Sequence, residues 1–131
     1  MIRLSRKSDY GLVALKALHG LGPDDALSAR EIALRLDLPG DLTPKVLARL
    51  AQAGIVESTM GKSGGYRLAR DAESISVAEV VRVLDGEPSL APCREGLLEC
   101  GRIGSCDIRH PLENLHREVM GVLDRMSIAR L

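Results

Sequence analysis

Three cysteines, Cys93, Cys100 and Cys106, are the only thiols in the chain and lie within fourteen residues of one another. No secretory pattern opens the sequence, so an odd, clustered set is expected to do metal or redox chemistry rather than build a disulfide framework. The spacing C-x6-C-x5-C lacks a CxxC pair and is poor for structural zinc, which usually takes two ligands from each tight turn. An iron-sulfur cluster accepts wider loop spacings, and three thiolates supply three of the four protein ligands it normally needs. Thiols that react directly, without metal, are the competing reading.

Other chemistry is sparse. No acid/base constellation stands out, and the run Gly61 to Gly65 lacks the spacing of a phosphate-binding P-loop, so an enzyme is not expected. The 131 residues are 45% apolar, which suits a globular chain. With no Phe or Trp and two Tyr, a base-stacking platform for single strands is not expected and the core must be aliphatic. No apolar run is long enough to span a membrane, and the chain reads as soluble and cytoplasmic.

The elements that must position the cysteines follow from hydrophobic period. Tyr10, Val13, Ala14, Ala17, Leu18 and Leu21 line one helical face, which Gly20 and Gly22-Pro23 terminate. Ser28 and Glu31 form a capping box before a two-turn helix carrying Ile32, Ala33 and Leu36. A third helix runs to about Ala53, with Val46, Leu47 and Leu50 inward and Gly54 as a left-handed cap. Its start is either Pro39 in the first helical position or Thr43 as cap with Pro44 following. Two strands, from Ile55 and from Tyr66, flank a glycine-rich turn. A second capping box, Ser76 and Glu79, opens a fourth helix ending before Gly86. Residues 86–106 have no period and carry every cysteine. Beyond Pro111, the series Leu112, Leu115, Val119, Val122 and Met126 makes a coiled-coil seam that wants a partner helix.

Three short helices followed by a hairpin is the order of a winged helix-turn-helix, mainly α with a small β-hairpin, whose third helix enters the major groove. Eighteen basic and eighteen acidic residues cancel overall, which at first argues against a nucleic-acid partner. Divided by segment, residues 1–70 carry eleven Lys or Arg against seven acids, and residues 71–131 the reverse imbalance, seven against eleven. Positive charge thus falls on the half patterned as a DNA reader.

The opening Arg3-Leu4-Ser5-Arg6-Lys7-Ser8-Asp9-Tyr10-Gly11, the wing Gly61-Lys62-Ser63-Gly64-Gly65-Tyr66-Arg67-Leu68-Ala69-Arg70, the run Ser76-Val77-Ala78-Glu79-Val80-Val81 and the cysteine loop together resemble the IscR/NsrR/BadM-type transcription regulators. The resemblance covers nearly the whole chain. It implies a homodimer binding a double-stranded DNA operator, with a reading domain at 1–85, a cluster-binding loop at 86–110 and a dimerisation helix at 111–131. It further implies that Cys93, Cys100 and Cys106 hold a 2Fe-2S or 4Fe-4S cluster. The fourth ligand is then Asp9, contributed by the other subunit, or His110. The first cysteine gap is six residues where five is common in the family, and His110 follows Cys106 after three residues rather than two. His116 and His19 are expected on helix surfaces.

Where such regulators read DNA through an arginine in the wing, this chain has Met60, and methionine cannot make the bidentate contact to guanine that arginine makes. Groove contacts are therefore expected from Lys45, Arg49 and Gln52. Thr43, Lys62, Ser63 and Arg67 are expected at phosphates, and Tyr66 is counted with the DNA-contacting set. The implied function is cluster-sensing transcription regulation, as a repressor, of iron-sulfur assembly, iron or nitric-oxide response genes. A metal-free thiol-redox regulator of the same fold and an electron-transfer iron-sulfur protein are the alternatives.

Overall fold

A serine cap starts the first helix. In the computed structural model, which describes residues 3–62, 64–90 and 101–131, Ser5 Oγ accepts the Ser8 amide at 3.2 Å and α1 runs Arg6–His19. Its buried face is Ser8, Gly11, Leu12, Ala14, Leu15 and Leu18, whereas Val13 is exposed. This face is rotated from the Tyr10/Val13 stripe expected from period. The reason is that α1 is packed from several sides at once, by the third and fourth helices, the second strand and the C-terminal turn. Gly11 permits the closest approach, since a Cβ there would lie 2.5 Å from Leu84 Cδ1.

Helix α2 (Ala29–Leu36) has both arms of its capping box, Glu31 N to Ser28 Oγ at 3.1 Å and Ser28 N to Glu31 Oε1 at 3.3 Å. Helix α3 (Leu42–Gln52) begins in neither expected way, because Asp41 is the cap residue and makes no side-chain bond. Pro44 falls in the first turn, where its missing N–H costs nothing. The end of α3 is as expected. Gly54 takes a φ of +73° while its N–H reaches Ala51 O at 3.1 Å and that of Ile55 reaches Leu50 O at 3.0 Å, the paired bonds of a Schellman cap.

Strands β1 (Val56–Thr59) and β2 (Gly65–Leu68) pair antiparallel with Val56 opposite Leu68 and Glu57 opposite Arg67. The hairpin is stitched to the segment before α2 by a reciprocal pair, Leu27 N to Tyr66 O at 3.0 Å and Tyr66 N to Leu27 O at 2.6 Å. Gly65 makes that possible. A Cβ on it would lie 2.4 Å from the Leu27 carbonyl carbon, a backbone atom that cannot move aside.

After a 3₁₀ turn at Ala72–Ser74, helix α4 (Val77–Asp85) starts at Ser76, whose Oγ accepts the Glu79 amide at 3.1 Å. Only this arm of the expected capping box is present. The Glu79 carboxylate pairs instead with Arg70, since a full charge is a stronger partner than a single amide. Ile32, Val46, Leu47, Leu50, Ile55, Ile75 and Val80 join Leu15 in one aliphatic core. Each such side chain contributes about 1.5–3 kcal/mol by leaving water.

Helix α5 spans Arg109–Arg125, starting before Pro111 and stopping short of the expected seam's last residue, Met126. There the chain turns back: Val77 N donates to Met126 O at 2.8 Å, Ile128 N donates to Ile75 O at 2.9 Å, and Ile128 is fully buried. The last residues thus close the core formed by the first four helices. One face of α5 packs on α4 through buried His116 and Met120, so His116 is not the surface residue expected from sequence. On the other face Ile108 just before the helix, Leu115 and Val122 are spaced by seven and remain 59%, 52% and 55% exposed. No described helix is long and apolar enough to cross a membrane.

The Gly65 contact sets a test of the wing's attachment. Gly65→Ala is expected to lower unfolding free energy by about 2 kcal/mol, as overpacking against a fixed neighbour does. Gly40→Ala, where nothing lies within 4 Å, should change it by less than about 0.5 kcal/mol. Denaturant melts of the two variants decide the matter.

Candidate nucleic-acid interface

The outward face of α3 carries Lys45, Ala48, Arg49 and Gln52, all exposed. Together with Lys7 from α1 they rim a shallow recess floored by Leu42, Val46 and Leu84. Lys7 was not among the residues singled out from sequence. Its place in the basic opening was visible, but only the packing of α1 beside α3 brings it to this face. Lys7 and Lys45 make no ion pair among the described residues, so two cations without one line the recess.

Arg49 is differently placed. Its Nη2 donates to the Val83 carbonyl at 2.9 Å, tying α3 to the last turn of α4. Such a bond at the surface is weak and exchangeable, and it uses one of the guanidinium's five donors, so Arg49 can contact DNA with the others or by exchanging this strut. Thr43 is not on the surface at all. It is 1% exposed, and its hydroxyl donates to Pro39 O at 2.7 Å, bracing the turn between α2 and α3. Thr43 therefore drops out of the expected phosphate contacts, because α3 begins at Leu42, two residues earlier than a Thr43 cap would require, and turns this side chain inward.

In the wing, Lys62 is exposed, while Arg67 Nε lies 2.7 Å from Glu57 Oε1 across the hairpin. That ion pair is half-exposed and worth about 0–1 kcal/mol, so a phosphate can displace it. Tyr66 is half-buried and its backbone serves the Leu27 pairing. Ser63 lies outside the described residues.

Of the candidate cluster ligands, Cys93 and Cys100 lie outside the described residues. Cys106 is half-buried, between a 3₁₀ turn at Ile103–Ser105 and the start of α5. Asp9 is exposed in the first turn of α1, where the helix dipole favours a carboxylate. His110 is exposed, with Nδ1 3.7 Å from a Glu113 carboxylate oxygen. Among the described residues no three His, Cys, Asp or Glu side chains gather as a metal-holding group.

The last turn of α4 joins these regions. Asp85 accepts hydrogen bonds from Ser5 Oγ at 2.6 Å and Ser8 Oγ at 2.5 Å at the start of α1. Arg82 bonds Asp124 of α5 at 3.0 Å and Glu87 at 3.0 Å. The Arg82 guanidinium is held above its ordinary pKa, first by the Asp124 hydrogen bond and also by Glu87, with partial burial opposing.

Three packed helices, with α3 presenting a polar, partly cationic face and a hairpin pinned beside them, are a winged helix-turn-helix. Residues 4–131 match the model of the Rrf2 family, described as iron-dependent transcriptional regulators. The chain is 30% identical over 131 residues to the HTH-type transcriptional repressor NsrR of Streptomyces coelicolor, across 99% of this chain and 88% of that protein. It is 36% identical over 86 residues to the HTH-type transcriptional regulator IscR of Cereibacter sphaeroides, across 64% of this chain and 56% of that protein. Among solved structures it resembles CymR, the global cysteine regulator of Bacillus subtilis, with a TM-score of 0.81 at 25% identity over 99% of this chain and 95% of that one. T. potens IscR gives a TM-score of 0.77 at 28% identity, over 98% and 85%. The chain belongs to the Rrf2 family of transcriptional regulators, and these relatives are regulators rather than enzymes.

The buried threonine can be tested directly. Thr43→Val removes the hydroxyl while keeping the branched shape, and should cost about 1 kcal/mol of stability. Duplex binding by the folded variant should be unchanged; a loss of affinity at full folding would return Thr43 to the interface.

Proposed function

We propose that this protein is a homodimeric, operator-binding transcription repressor in the cytoplasm, whose DNA affinity is set by an iron-sulfur cluster on Cys93, Cys100 and Cys106. Family membership supports operator binding, and the surface nominated for it is Lys7, Lys45, Gln52 and Lys62, with Arg49, Arg67 and Tyr66 at its edges. The observation that carries the cluster reading is the place of the cysteine segment in the chain. It leaves the last turn of α4, which bonds α1, α3 and α5, and it ends at Cys106 where α5 begins.

Three thiolates suit a 2Fe-2S or 4Fe-4S cluster, with Asp9 of the other subunit, or else His110, completing the set. Such a cluster supplies an iron centre that is lost, oxidised or attacked by nitric oxide, which fits control of iron-sulfur assembly, iron or nitric-oxide response genes. A ligand shifts a protein only through its differential affinity for two arrangements. Here those arrangements are two poses of the reading helices relative to α5. A second reading, direct thiol-redox control without metal, draws support from the likeness to a cysteine regulator.

Two outcomes test this function. Anaerobically purified protein should show visible absorption and bound iron, and Cys100→Ala should abolish both and uncouple nitric oxide from binding to duplexes the wild type selects. Iron-free protein whose DNA binding still answers to oxidant would favour the thiol reading. For the dimer, the stripe Ile108, Leu115 and Val122 is the seam, so Leu115→Glu should sediment as a folded monomer. A dimer that survives this change would place the interface elsewhere.

A further inference from the structure

Met60 is the most exposed large apolar side chain described, at 98%, and it stands where β1 enters the wing turn. Single exposed apolar residues are ordinary. What distinguishes this one is the platform beneath it. Thr59 Oγ1 donates to Gly65 O at 3.3 Å, and Gly64 N donates to Gly61 O at 2.9 Å. A Cβ on Gly64 would lie 2.7 Å from Thr59 O and 2.8 Å from Gly61 O, so the turn is closed tightly on itself. The glycines thus serve the turn's own packing, and the Leu27–Tyr66 exchange fixes the whole hairpin to the body of the domain. From Ser58 to Tyr66 there is no acidic residue and one lysine, Lys62. An unbranched apolar side chain is therefore presented on a braced, locally cationic tip.

We propose that Met60 is a specificity-determining residue that enters the DNA minor groove beside the bases read by α3, as an apolar wedge at a deformable step. The inference rests on the operator-binding reading above. The minor groove is about 6 Å wide, which suits a slim, unbranched chain with three rotatable bonds. Apolar side chains, methionine among them, are inserted between base steps there, and Lys62 next to it is placed for the adjacent phosphates. Unstacking is easiest at pyrimidine–purine steps, so an uncharged wedge selects TA or CA/TG. A cation at the same point would instead seek the strong negative potential of narrow A-tracts. Met60 thereby exchanges electrostatic shape readout for readout of deformability.

The experiment is selection from a random-sequence duplex library with the full-length protein, followed by affinity measurement on the best duplex. Wild type and Met60→Leu should both enrich pyrimidine–purine steps flanking the bases read by α3. Met60→Ala should lose that flanking preference and bind the selected duplex about tenfold more weakly, within the range of a single mismatched position. Met60→Arg should move the preference to A-tracts. Met60 is wholly outside the core, so melting curves of the variants should coincide with wild type. If Met60→Ala selects the same flanking steps with affinity within about twofold, the assignment is wrong while operator binding stands. If the wild type enriches no duplex, operator binding itself falls, and the Met60 assignment with it.

Discussion

A single helical turn at the end of α4 ties together three of the other four helices. Asp85 accepts hydrogen bonds from Ser5 and Ser8, the Val83 carbonyl accepts Arg49, and Arg82 bridges Glu87 to Asp124. The turn thus bonds α1, α3, α5 and the outgoing chain together. Each bond is modest, because most of these groups are half-exposed and water competes for them. Their joint effect is geometric. Gly11 lets α1 approach Leu84 closely enough for the bonds to form, and the aliphatic core behind them supplies the stability they do not.

The wing obeys a different constraint. It has only two strands of four residues, too little to be stable alone, and it borrows rigidity from the Leu27–Tyr66 exchange. Gly64 and Gly65 are required because backbone atoms occupy the space a Cβ would need. The hairpin and the α3 face are consequently held in one body, so the two candidate DNA-contacting surfaces keep a fixed separation. With only a modest surplus of positive charge on residues 1–70, the proposed operator binding would draw on both surfaces at once, and the proposed homodimer would present each of them twice.

Much of this architecture was legible in local chemistry. The Ser28–Glu31 box, the Gly54 cap and the hairpin with its glycine-rich turn follow from side chains acting on their own neighbourhood, within a few residues. The failures come from competition between partners. Glu79 left its box for Arg70, Thr43 turned inward to Pro39, and His116 was buried against α4. For Glu79 and His116 a partner farther along the chain outcompeted the local environment, whereas Thr43 took a different local partner, the Pro39 carbonyl, once α3 began at Leu42. Packing also decides for Lys7, whose relevance to α3 arises only when α1 is laid beside it.

Sequence alone determined the element types, the winged order, the uneven charge and the clustering of three thiols, because period, capping and composition are local properties of the chain. Tertiary structure decided which faces are buried, which cations are free and where α5 stops. Ile128 and the Met126–Val77 bond draw the last residues into the core, ending a seam that period alone would extend. Burial is settled by what else competes for the same apolar surface, and that competition exists only once the helices are packed.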